Sequence, residues 1–170
     1  MQPSSYKQFA EQYHRFPIVP VFAELLGDLD TPVSTFLKTT EGPYRFLLES
    51  VEGGNQRGRF SILGYSALLI FKSRNGQSTI HDTHANKIIH SRQNPFLLLK
   101  QYLRTYQQPL TSEIPFSSSG LFGVFGYDVI RYIEQLPDRT KDNIALEDIH
   151  LFLPKTIIVF DNLLHKIVLI

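Results

Sequence analysis

The strongest constraint on the fold is a recurrence of short apolar runs of strand length, set apart by turn residues. Ala67-Leu-Leu-Ile-Phe-Lys-Ser73 and Gln77–Asp82 flank Arg74-Asn75-Gly76. Asn-Gly between two such runs is a specific signal for a tight hairpin, because both turn residues must take positive φ. Lys87–Ser91 follows a turn near Ala85-Asn86, and together with residues 60–65 these runs predict an antiparallel meander. Two final strands are expected, one over about 149–153 plus 155–160 and one over 165–170, joined at Asp161-Asn162.

Helical spacing is confined to short segments. Ser4-Ser5 caps a helix over about 6–14, with Tyr6, Phe9, Ala10 and Tyr13 on one face. Pro17 and Pro20 force 18–22 to be extended. Asp30-Thr31-Pro32 starts a helix over roughly 32–39 that offers Val33, Phe36 and Leu37 to a core. Asn94-Pro95 starts another over about 95–106, with Phe96, Leu99, Leu103 and Tyr106 at helical spacing, and Asp128 caps a short one over 129–135. The fold class is α+β: a largely antiparallel sheet with a few helices packed on one face.

Length and charge narrow the function classes. At 170 residues the chain suits about one domain, taken as 1–170. Its 17 basic and 16 acidic residues give no reason to expect nucleic acid or an anionic membrane surface as partner. Without cysteine, disulfides, thiolate nucleophiles and Cys-based zinc sites are excluded. The polar N-terminus lacks a signal-peptide core, and no window reaches the ~20 apolar residues of a membrane span. These features lead us to expect a cytoplasmic protein. The run Lys166-Ile-Val-Leu-Ile170 has no following turn, which predicts that the chain is part of a longer polypeptide.

Motifs for familiar catalysis are weak. His81 and His84 lie at a hairpin edge without a third ligand at metal spacing, so they read as strand residues. Ser117-Ser-Ser119 is no nucleophile elbow. Gly120-x-x-Gly123-x-x-Gly126 has the wrong spacing for a dinucleotide loop and reads as glycines that let a strand pack closely. Asp128, Arg131 and Glu134 suit a helix cap with an ion pair.

The richest stretch is 46–64, where Phe46-Leu-Leu-Glu-Ser50 and Arg59-Phe-Ser-Ile-Leu63 read as two strands around a glycine-rich polar connection. It gathers Glu49, Ser50, Glu52, Arg57 and Arg59. An acid, a hydroxyl and cations suit a zwitterion such as an amino acid, and they equally suit pairing of Glu49 or Glu52 with Arg57 or Arg59.

Leu47-Leu-Glu-Ser-Val-Glu-Gly-Gly54, Gly58-Arg-Phe-Ser-Ile-Leu-Gly64 and Gly120-Leu-Phe-Gly-Val-Phe-Gly-Tyr-Asp128, with Arg131-Tyr132 and Glu134, resemble the N-terminal region of anthranilate synthase component I. Ile18-Val-Pro-Val21 and Thr31-Pro-Val-Ser34 match its run-in, so the resemblance covers 18–170. The glycine-rich segment is also shared with aminodeoxychorismate synthase component I, which stays open as an alternative, as does a free-standing amino-acid-binding module. The resemblance implies an incomplete half of a larger two-layer or sandwich enzyme fold. It implies a lyase that makes anthranilate from chorismate in tryptophan biosynthesis, with ammonia from a glutamine amidotransferase partner, component II. Chorismate and Mg²⁺ would be held by a C-terminal region absent here, so this chain alone would carry no catalytic residue, cofactor or metal. It also implies an L-tryptophan effector site to which Leu48, Glu49 and Ser50 contribute, with Arg59 at a position usually occupied by Lys.

Overall fold

The computed structural model describes residues 5–39, 42–51, 57–109, 120–137 and 141–170. In chain order the elements are α1 (Tyr6–Tyr13), β1 (Ala23–Leu26), α2 (Pro32–Thr39), β2 (Arg45–Val51), β3 (Arg57–Arg74), β4 (Gln77–Asp82), β5 (Lys87–Ser91), α3 (Pro95–Thr105), β6 (Phe122–Phe125), a 3₁₀ helix (Tyr127–Tyr132), β7 (Ile149–Asp161) and β8 (Lys166–Leu169). Every strand pairing described is antiparallel. No described helix is long and apolar enough to cross a membrane.

Two compact units are present, one formed by 1–66, 107–120 and 154–170, the other by 67–106 and 121–153. In the first, β8 is paired on one side with β1, Ala23 facing Leu169, and on the other with β7, Phe160 facing Ile167. β2 lies against the first part of β3, with Leu47 opposite Leu63 and Glu49 opposite Ser61. The register then slips between Glu49 and Val51, and Val51 faces Arg57. The core here is Leu63, Ile158, Phe160 and Ile167, with Phe36 of α2 and Leu47 of β2 packed on it.

In the second unit, the last part of β3 pairs with β4 and β4 with β5. Asn75 and Gly76 take φ of 50° and 73°, as the Asn-Gly signal requires. β6 pairs with β7 through Phe122↔Phe152 to Phe125↔Ile149. The Asn94 side chain accepts from the Phe96 and Leu97 amides and so starts α3, which buries Leu98 and Leu99.

Three expectations change. Residues 60–65 and 67–73 belong to one 18-residue strand, in which Ser66 takes a positive φ of 58°. The extended 18–22 is followed by a strand at Ala23–Leu26 whose partner, β8, is more than a hundred residues away, so no local pattern announces it. The helix expected over 129–135 is a 3₁₀ turn beginning at Tyr127, without a side-chain cap. Asp128 sits within its first turn and accepts from Arg131 Nε at 2.9 Å, an arrangement that the three-residue period favours. β7 runs through Pro154 because the proline, which has no N–H, falls between the stretch paired with β6 and the stretch paired with β8.

Candidate functional site

Strand alternation decides which residues of the 46–64 stretch can act together. Leu47 points into the core, so Glu49 shares its face one step further along, and its neighbour Ser61 lies opposite. There the start of β3, the β7–β8 turn and residues 30–33 enclose a pocket of about 800 Å³ lined by Asp30, Glu49, Arg59, Ser61, Asp161 and Lys166, among others. Leu48 and Ser50 are on the opposite face of β2; both are exposed, and neither lines the pocket. Ser50 instead packs on Gly58: a β-carbon there would lie 1.9 Å from the Ser50 carbonyl oxygen.

Arg59 is held by a residue that sequence reasoning did not connect with it. Its Nη2 donates to Asp161 Oδ2 at 2.8 Å and its Nε to both carboxylate oxygens at 3.2 Å. Asp161 Oδ1 also accepts the Leu163 and Leu164 amides at 3.1 Å, which shapes the β7–β8 turn. Asn162 completes the junction, its amide donating to the Arg59 carbonyl at 2.8 Å and its side chain to the Gly58 carbonyl at 3.0 Å. Hydrogen bonding from Arg59, aided by the two turn amides, holds the Asp161 carboxyl below the usual carboxylate range despite its burial, and Asp161 in turn raises Arg59. The Arg59 guanidinium also lies over the Phe60 ring, 4.7 Å from its centroid.

The remaining charges sort themselves. Asp30 pairs with Lys38 at 2.6 Å, and the hydrogen bond from Lys38 lowers its carboxyl. Lys166 pairs with Glu24 at 2.6 Å. Glu49 has no ion-pair partner among the described residues. The expected pairing of Glu49 with Arg59 is therefore not formed: the carboxylate of Asp161 occupies the guanidinium from across the sheet. Glu52 and the Arg57 side chain lie outside the described residues. The pocket thus presents one uncommitted carboxylate beside an anchored guanidinium, a set that can hold an ammonium and a carboxylate together.

Among the described residues no group of three or more His, Asp or Glu is arranged to hold a metal. Gly123 takes a φ of +150°, and a β-carbon there would meet the His150 carbonyl oxygen at 2.0 Å, so its lack of a side chain serves the β6–β7 approach. Ser117–Ser119 lies outside the described residues. The signal for Asp161 was present only as a turn dipeptide, Asp161-Asn162; nothing local ties it to Arg59, 102 positions away.

No family model matches the chain. Curated proteins do match. Anthranilate synthase component 1 of Acinetobacter calcoaceticus is 37% identical over 159 residues, 89% of this chain and 32% of that protein. The Pseudomonas aeruginosa protein of the same name is 34% identical over 93% of this chain and 32% of its own length. That of Neisseria meningitidis serogroup C is 35% identical over 96% of this chain and 33% of its own. Among solved structures, anthranilate synthase component I from Streptococcus pneumoniae superposes with a TM-score of 0.51 at 28% identity, covering 84% of this chain and 30% of that one. The chain spans about a third of the length of the curated relatives it matches. By sequence and by fold, this chain is similar to anthranilate synthase component I over about a third of that protein's length.

Proposed function

We propose that this chain is the N-terminal, scaffold and feedback-regulatory part of an anthranilate synthase component I, and that its pocket binds L-tryptophan. The observation that carries the reading is Glu49: a pocket carboxylate without an ion-pair partner among the described residues, facing the same space as an anchored Arg59. The ammonium of the amino acid goes to Glu49 and its carboxylate to Arg59. Ser50 acts from the opposite face of β2 by setting how its end lies on Gly58, and Leu48 shares that exposed face. An indole needs an apolar wall; Pro32, Val33, Phe160 and Leu163 line part of the pocket, and on this proposal the remaining length seen in the relatives supplies the rest.

The same reading places chorismate, Mg²⁺ and the lyase chemistry in that remaining length, and ammonia with a glutamine amidotransferase subunit, component II. The chain by itself forms no anthranilate. Feedback inhibition then follows from linkage. If L-tryptophan prefers one packing of the whole enzyme, its binding shifts the population toward that packing, with a coupling of about 1–3 kcal/mol. The test is inhibition of anthranilate formation when this chain is joined to the remainder of such an enzyme. Ser50→Phe should retain activity and weaken inhibition by L-tryptophan. Normal inhibition of that variant would refute the assignment of Ser50, and an enzyme indifferent to L-tryptophan would refute the regulatory role.

A further inference from the structure

The contacts of Arg59 carry an inference about how the pocket chooses its ligand. A guanidinium has a fork of five N–H donors in a plane. Asp161 takes the Nε–H and one Nη2–H. The second Nη2 hydrogen and one Nη1 hydrogen form the end-on edge of the fork, which stays free of Asp161. Two constraints fix that edge. Asp161 is itself buried, at 7% exposure, and held by the turn amides of Leu163 and Leu164. Phe60 lies under the plane of the guanidinium. A long, rotamer-rich side chain is thereby set in one place before any ligand arrives, which removes an ordering cost that binding would otherwise carry.

Charge gives the second half of the argument. Among the pocket's ionic side chains, Asp30 is neutralised by Lys38, Lys166 by Glu24 and Arg59 by Asp161. Glu49 is the carboxylate left over among the described residues. A ligand that brings only a carboxylate meets an excess negative charge; a ligand that also brings an ammonium cancels it.

We propose that Asp161, in the β7–β8 turn, is a positioning residue for this pocket: it presents the end-on edge of Arg59 to a ligand carboxylate and, by neutralising Arg59, leaves Glu49 to select ligands that carry an ammonium. The pocket accepts α-amino acids and rejects plain carboxylic acids of the same size. The inference rests on the amino-acid-binding reading above and adds the residue that enforces it.

The experiment is a titration of this chain joined to the remainder of an anthranilate synthase component I, so that the apolar wall is present, followed by amide and guanidinium NMR signals, with three probes: L-tryptophan, tryptamine and indole-3-propionate. The wild type is compared with Asp161→Asn, which keeps an Oδ1 acceptor for the turn amides but loses the charge. The account expects L-tryptophan affinity to fall about tenfold in D161N, a loss in the range of a charge-assisted hydrogen bond, while tryptamine, which has no carboxylate, binds both forms equally. Indole-3-propionate binds neither detectably, and Asp161→Glu restores part of the L-tryptophan affinity. Equal or tighter L-tryptophan binding by D161N would overturn the inference while the amino-acid-binding reading stood, for Asp161 would then be idle or a competitor. Equal weakening of tryptamine would reduce Asp161 to a structural role and overturn it too. Failure of the wild type to bind L-tryptophan would overturn both readings. Without any ligand, Arg59 Nε–H should be protected from exchange in the wild type and exposed in D161N; equal exchange would refute the positioning itself.

Discussion

Gly58→Ala perturbs the pocket without touching a charged group. Gly58 is buried where the end of β2 crosses β3. An added β-carbon would lie 1.9 Å from the Ser50 carbonyl oxygen and 2.5 Å from Ser50 Cβ. Ordinary contact between such atoms is about 3.5 Å, so β2 and β3 would have to part by more than 1 Å. The neighbour is backbone, which cannot swing aside as a side-chain tip could. Overpacking of this kind costs about 1–3 kcal/mol. For a chain of this length each kcal/mol lowers Tm by about 2–4 °C. The same displacement moves Glu49 relative to Arg59, because the Gly58 carbonyl is also the acceptor of Asn162 beside Asp161. Urea denaturation should therefore show a lower midpoint at unchanged slope, and L-tryptophan binding should weaken more than stability alone requires. A Gly58→Ala variant as stable as the wild type, with unchanged binding, would refute this account of the β2–β3 approach.

Leu63→Ala removes a fully buried side chain from the cluster with Ile158, Phe160 and Ile167, and urea denaturation should find a loss of about 2–5 kcal/mol. Asn94→Ala takes away both amide contacts at the start of α3; thermal denaturation should report a loss of about 1 kcal/mol. Asp161 has a folded pKa below its unfolded value, so its contribution is present above the usual carboxylate range and lost as pH falls through the depressed value. Acid titration of stability should accordingly be shallower in Asp161→Asn. Tyr106, half-buried and donating to Asp82, is pushed up from 10.0 to about 12. Its contribution is complete below 10.0 and lost toward about 12, so ultraviolet titration should find a late-ionising tyrosine that Tyr106→Phe removes.

Much of the fold was legible because its signals are local. Asn75-Gly76, Asn94-Pro95 and the alternation of 77–82 and 87–91 each need only neighbouring residues. β1 was not legible: Ala23-Glu-Leu-Leu26 has no strand alternation, and its strand character comes from pairing with β8. The site divided in the same way. Glu49 and Arg59 were visible as charges at strand ends, and the register of β2 on β3 brings them to one pocket. Their suspected mutual pairing was not the outcome, because the competitor, Asp161, arrives from a turn 102 residues along the chain. The face on which Ser50 sits was fixed by alternation, yet its contact with Gly58 depends on the register slip after Glu49.

The central claim is that the uncommitted Glu49 and the anchored Arg59 bind one amino acid between them. A titration of this chain, joined to the remainder of such an enzyme, with L-tryptophan, compared with Glu49→Gln and read by backbone amide shifts, tests it most directly. The account predicts saturable shifts at Glu49, Arg59, Ser61 and Leu163, weakened about tenfold or more in Glu49→Gln. Shifts confined to other residues, or equal affinity in the two proteins, would contradict it.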